Sequence, residues 1–149
     1  AIGFSNRSGG YELRDDNAFK GTIAPKDISV IAGREDNAPL CIFEGFMDFL
    51  SYLTMKGKES ISPSIVLNSV NNLPRAIAYL HEQDIDSVRA FLDNDPVGRQ
   101  ALLTIQSSDV TVEDMSRHYA RHKDLNEFLV AQREAQKQKI VPRKRGLRR

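Results

Sequence analysis

Leu40-Cys41-Ile42-Phe43-Glu44-Gly45-Phe46-Met47-Asp48 is the stretch on which the reading of this chain turns. Four successive apolar residues suit a buried strand, and the run stops at a glutamate, a glycine and the start of an amphipathic helix. In an open α/β sheet, ligands bind just beyond the carboxyl ends of the strands. A carboxylate at that point stands in a functional position, outside the packed core. The arrangement recurs downstream, where Val88-Arg89-Ala90-Phe91-Leu92 runs into Asp93-Asn94-Asp95, then Pro96-Val97-Gly98 and another helix. Two parallel strands ending in this way are expected to bring Glu44, Asp93 and Asp95 to one rim. Like charges held that close repel and raise one another's pKa. A hard, oxygen-seeking cation relieves the repulsion, and Mg²⁺ is the expected guest.

The flanking sequence continues the alternation of strand and helix. The helix from Phe46 carries Phe46, Met47, Phe49, Leu50 and Leu53 on one broad core-facing side, with Gly57 suited to its C-terminal cap. Residues 64–70 form the next buried strand. Asn71-Asn72 then caps a helix with Pro74 in its first turn, turning Ile77, Ala78 and Leu80 inward. The helix after Asp95 buries Ala101, Leu102 and Ile105, and residues 109–114 read as a fourth strand. Residues 28–31 are a short strand or a turn of helix, and residues 33–39 a polar loop. The pattern predicts an α/β fold: a mostly parallel, Rossmann-like, four-stranded sheet with helices on both faces. Ahead of it, residues 1–14 read as a β-hairpin turning at Ser8-Gly9-Gly10, and residues 19–23 as a third short strand. Arg7, Arg14 and Lys20 on these strands either face nucleic acid or are plain solvated side chains.

Glu44-Gly45-Phe46-Met47-Asp48 followed by Asp93-Asn94-Asp95-Pro96-Val97-Gly98 resembles the E-G-x-x-D and D-x-D-x-x-G motifs of the Toprim domain of bacterial primases, topoisomerases and some nucleases. Either motif alone is weak; both together, on strand ends in the right order, are specific. A third segment, Lys123-Asp124-Leu125-Asn126-Glu127, resembles the K-D-x-N/D-E run of primase-type members. Asp124 followed by Glu127 is equally a capping box, and the two readings are compatible. The hairpin region is similar to the segment before the Toprim core in plasmid- and transposon-encoded primases. The resemblance covers residues 28–129 and implies Mg²⁺- or Mn²⁺-dependent nucleotidyl transfer by a DNA primase-like protein of a mobile element. Its implied partners are a DNA template, nucleoside triphosphates, and a helicase or other replication proteins. The implied catalytic and metal-holding residues are Glu44, Asp93 and Asp95. Gly45, Asp48, Gly98, Lys123, Asp124 and Glu127 are the implied supporting positions, the two glycines letting backbone approach phosphate.

Four alternatives remain open on sequence alone. The same acids serve nuclease or topoisomerase chemistry, although none of the tyrosines sits in a suggestive motif. A Toprim module can also bind DNA or protein without catalysis. Leu92 to Val97 fits the nucleophile motif of dehalogenase-like phosphatases, but that reading gives Glu44 and Asp48 no task. A phosphate-accepting receiver domain fits less well.

Composition sets the outer bounds. A chain of 149 residues with 40% apolar and 28% charged content suits one compact domain with a real core. No apolar run approaches the roughly 20 residues of a membrane span, and no signal peptide opens the sequence. The single Cys41 sits in an apolar strand and has no internal partner, so a reducing cytoplasm is expected. The abrupt start in strand-like sequence reads as a piece of a longer protein. Of 21 basic residues, seven fall between Lys137 and Arg149 with no acid among them. That leaves 14 bases against 20 acids, about −6, on residues 1–136. The expected organisation is residues 1–27 as an N-terminal extension, 28–136 as the Toprim-like domain and 137–149 as a basic tail or linker. Such a tail is mobile and either holds phosphate through charge or simply connects. His118 and His122 stand four apart but lack the acid of a zinc motif, so solvated histidines are expected.

Overall fold

The computed structural model describes residues 1–34, 38–57 and 61–147, with side chains to residue 139. Residues 35–37 of the expected polar loop and the last two arginines of the basic run lie outside the described residues.

The core is a five-stranded sheet in the order β4-β6-β5-β7-β8. Its strands are β4 (Ser29–Ile31), β5 (Leu40–Phe43), β6 (Ser64–Val66), β7 (Ser87–Phe91) and β8 (Thr111–Asp114). β5, β6, β7 and β8 are parallel, as expected, and β4 adds a fifth, antiparallel edge strand on β6. The sequence left residues 28–31 ambiguous because a three-residue strand is too short to show a period. β8 starts later than expected because Asp109 turns the chain with φ 63°.

Alternation along β5 divides the core in two. Leu40 and Ile42 face one layer with Ile65, Val88 and Ala90, covered by helices α2 (Leu73–Glu82) and α3 (Pro96–Gln106). Cys41 and Phe43 face the other, covered by α1 (Phe46–Lys56) and α4 (Leu125–Leu147). In α2 the buried residues are Leu73, Ala76 and Leu80, while Ala78 faces solvent instead of the expected core. Pro74 at the start sets the phase of the helix, so the turn that begins with Leu73 returns at Ala76 and Leu80. α1 ends as expected, with Gly57 at φ 60° donating its N–H to the Leu53 carbonyl at 3.1 Å. α4 continues through residue 147, so the boundary expected between residues 136 and 137 falls inside one helix.

The N-terminal strands β1 (Ile2–Ser5), β2 (Tyr11–Arg14) and β3 (Lys20–Ile23) form a separate antiparallel sheet. It docks on the helical layer through Phe4, whose ring stacks on Phe46 at 5.1 Å and meets Phe49 at 5.9 Å. A polar clasp secures the other end. Buried Asp27 accepts from Arg7 Nε at 2.9 Å, from the Ser8 hydroxyl and from its neighbour Ile28 N–H at 2.7 Å. Arg75 of α2 stands 3.6 Å from the same carboxylate. Burial works against that charge, but the hydrogen bonds from Ser8, Arg7 and Ile28 outweigh it and hold the Asp27 carboxyl below its usual range. The clasp positions β2 and β3 so that Arg14 and Lys20 overhang the carboxyl edge of the larger sheet, Arg14 lying 5.5 Å over the Phe46 ring.

Candidate functional site

β5 and β7 are hydrogen-bonded neighbours with Phe43 opposite Phe91, so the residues that follow them emerge side by side. The Asp93 N–H donates to Glu44 Oε1 at 3.3 Å. Glu44 and Asp93 therefore meet, as expected. Asp95 stays outside the tightest group: through Oδ1 it is the N-cap of α3, accepting the Gly98 N–H at 2.7 Å, while its charge still pushes the Glu44 pKa up. Gly98 also has a role other than phosphate approach. A Cβ there would lie 2.1 Å from the Asp93 carbonyl oxygen, so glycine is what allows α3 to pack against the acid loop. Gly45, by contrast, lines the cleft with nothing within 4 Å of its Cβ position.

The tight group of acids is a different trio. Oxygens of Asp48, Asp93 and Asp124 all lie within 4.8 Å of one another. Each is delivered by its own element. Asp48 sits in the first turn of α1, Asp93 follows β7, and Asp124 caps α4 by accepting the Glu127 N–H at 2.8 Å. The capping box and the cluster thus use the same Asp124. Glu127 points away, 3.5 Å from His122 Nδ1. Lys123, beside Asp124, lines the cleft.

Two asparagines outside the expected set hold the trio together. Asn94 donates through Nδ2 to the carbonyls of Tyr119 and His122, both at 3.0 Å, and its own N–H reaches the Lys123 carbonyl at 2.6 Å. It ties the loop bearing Asp124 to the loop bearing Asp93. Asn126 donates its N–H to Asp48 Oδ1 at 3.1 Å and its side-chain amide to Ser51 Oγ at 3.0 Å, fastening α4 to α1. The signal for Asn126 was its place in the Lys123–Glu127 run; Asn94 reads only as a turn residue. Buried Tyr119 adds a brace by donating its hydroxyl to the Leu92 carbonyl at 2.9 Å, and burial among these acids pushes its own pKa up. The two histidines are not on one helix face. His118 lies in the short 3-10 turn after β8, whereas His122 packs edge-on against Phe128 at 5.7 Å.

The electrostatics follow from burial. Asp48 is 5% exposed, and burial together with the Asp124 charge lifts its pKa from 3.8 to about 7. Burial, then the Glu44 and Asp48 charges, push Asp93 strongly upward, and Glu44 is raised chiefly by burial. Asp93 Oδ1 is buried and has no hydrogen-bond donor. These acids fit a divalent cation. Two oxygens on one octahedral Mg²⁺ lie about 3–4 Å apart, so the trio needs to close by no more than about 2 Å. The acids form one wall of a cleft of about 340 Å³, and Arg14, Lys20 and Lys123 also line it. Carboxylates and basic side chains thus line the same cleft.

The Toprim-like family matches residues 41–129, which include every acid of this cleft. No curated protein sequence matches the chain. Among solved structures, the primase fragment of the bacteriophage T7 primase-helicase protein superposes with a TM-score of 0.61 at 16% identity. The match covers 92% of this chain and 59% of that one, so this chain spans somewhat over half of the fragment. No helix among the described residues is long and apolar enough to cross a membrane.

Proposed function

Because this chain belongs to the Toprim-like family, we propose that it is the catalytic Toprim module of a DNA primase-like replication protein, making primers on a DNA template. The observation that carries the reading is the cleft itself, where Asp48, Asp93, Asp124 and Glu44 converge and Arg14, Lys20 and Lys123 share the lining. The substrates are nucleoside triphosphates, and the partners are DNA, a helicase and other replication proteins of a cytoplasmic mobile element.

In the reaction the primer 3′-hydroxyl oxygen loses its proton to solvent and bonds to the α-phosphorus, the bond from that phosphorus to the bridging oxygen breaks, and pyrophosphate leaves. Asp93, Asp48 and Asp124, with Glu44 beside them, would hold Mg²⁺ or Mn²⁺. When bound, the cation neutralises the carboxylates and the charge that grows on phosphate oxygen. Asp95 stays at the edge of the set and keeps α3 in place. Arg14, Lys20 and Lys123 attract and orient the phosphates, and Asn94, Asn126 and Tyr119 keep the acids from moving apart. Positioning and fixed charge provide the catalysis, without a covalent intermediate on the protein.

The test is template-directed synthesis with NTPs and Mn²⁺, comparing wild type with Glu44→Gln and Asp93→Asn. Each substitution should abolish product and weaken Mn²⁺ binding. Cleavage of the template without synthesis would move the reading to a nuclease. A Glu44→Gln protein that binds Mn²⁺ like wild type would remove Glu44 from the site.

A further inference from the structure

A second concavity adjoins the acid-lined cleft. It is a groove of about 370 Å³ between the start of α2 and the start of α3, lined by Val70, Leu73, Pro96, Val97, Ala101 and Gln100 among others. Val70 lines both the groove and the cleft, so the two form one continuous surface. Pro96 and Val97 directly follow the acid loop, and Val97 is left 53% exposed. An aliphatic face therefore adjoins a cleft in which Asp48 is buried and Glu44, Asp93 and Asp124 are half-buried.

We propose that this groove receives the nucleobase of the nucleotide whose phosphates occupy the cleft. The inference rests on the reading of the cleft as a metal–phosphate site. A nucleoside triphosphate has a charged end and an apolar planar end a few ångströms apart. The surface matches that division: acids and cations on one side of Val70, aliphatic side chains on the other. The base lies with its face on Val97 and Pro96. Because aliphatic contacts do not read base edges, the groove contributes affinity for any base and leaves sequence choice to the template.

The experiment compares ATP with inorganic triphosphate, each with Mn²⁺, by calorimetry on wild type and on Val97→Asn. This substitution is neutral and lies on the surface, so it perturbs neither the fold nor the charge of the cleft. Wild type should bind ATP at least about tenfold more tightly than triphosphate. Val97→Asn should reduce that preference by about threefold or more and leave triphosphate binding unchanged. Equal binding of ATP and triphosphate by wild type overturns the groove while leaving the phosphate site intact. An equal loss of both ligands in Val97→Asn also overturns it. If neither ligand binds wild type, the metal–phosphate reading of the cleft fails and the groove with it.

Discussion

Asp48→Asn should make the metal-free protein more stable at neutral and alkaline pH. The side chain is almost fully buried, and its pKa stands at about 7 against 3.8 for an ordinary aspartate. A carboxyl with a raised folded pKa favours folding when protonated. Its contribution is therefore fully present below pH 3.8 and is lost as pH rises through about 7. Each pH unit across that window is worth about 1.4 kcal/mol, so ionising Asp48 costs up to roughly 4 kcal/mol at pH 8. Water in the open cleft and relaxation of neighbouring acids reduce this to about 2 kcal/mol. Asparagine keeps an oxygen to accept the Asn126 N–H, which is 3.1 Å from Oδ1, and has no charge to bury. The expected gain is roughly 4–8 °C in Tm for a domain of this size. The assay is thermal unfolding in EDTA from pH 5 to pH 8, for wild type and variant, repeated with Mn²⁺. The gain should be largest at pH 8 and shrink toward pH 5. Mn²⁺ should raise the wild-type midpoint and do less for the variant, by binding linkage. A variant no more stable than wild type at pH 8, or a gain independent of pH, refutes the claim that clustered buried charge strains this fold.

Asn94→Ala removes the tether between the two acid loops. It should cost about 2–3 kcal/mol and weaken Mn²⁺ binding, and a fully retained Mn²⁺ affinity would show that Asp124 is held in place by other contacts. Gly98→Ala drives a methyl into the Asp93 carbonyl, 2.1 Å from its Cβ position, and should destabilise by about 2–4 kcal/mol in urea; an unchanged midpoint would mean that α3 slides without cost. At Asp27 the folded pKa is lowered, so its contribution is present above pH 3.8 and lost as pH falls through the folded value. Asp27→Asn should therefore loosen the N-terminal sheet at pH 7, giving faster proteolysis near Phe19, and wild type should approach the variant at acid pH; equal protection of the two proteins at pH 7 would count against the clasp.

Much of this protein was legible in order along the chain. Short apolar runs gave the parallel strands, and Glu44, Asp93 and the Lys123–Glu127 run marked one edge of the sheet. Local chemistry also predicted the Gly57 cap, because a left-handed residue is needed there whatever the surroundings. The strand at residues 29–31 was not legible, since three residues carry no period and only pairing with β6 defines it. Asn94 was hidden for a related reason: its partners Tyr119, His122 and Lys123 lie 25 or more residues away in sequence.

The sequence by itself determined which residues end strands, and so which carboxylates reach the functional rim. It did not decide which of them meet. That depends on side-chain direction and on how helices close over the sheet. Asp95 stands two residues from Asp93, yet the start of α3 claims its oxygen for the Gly98 N–H. Asp48 and Asp124 are distant in the chain, yet α1 packed against α4 brings them to Asp93. Local hydrogen bonding engaged one oxygen of the near neighbour and kept it out of the tightest group, and long-range packing supplied the remote ones. Only the folded chain sets the balance between those two effects.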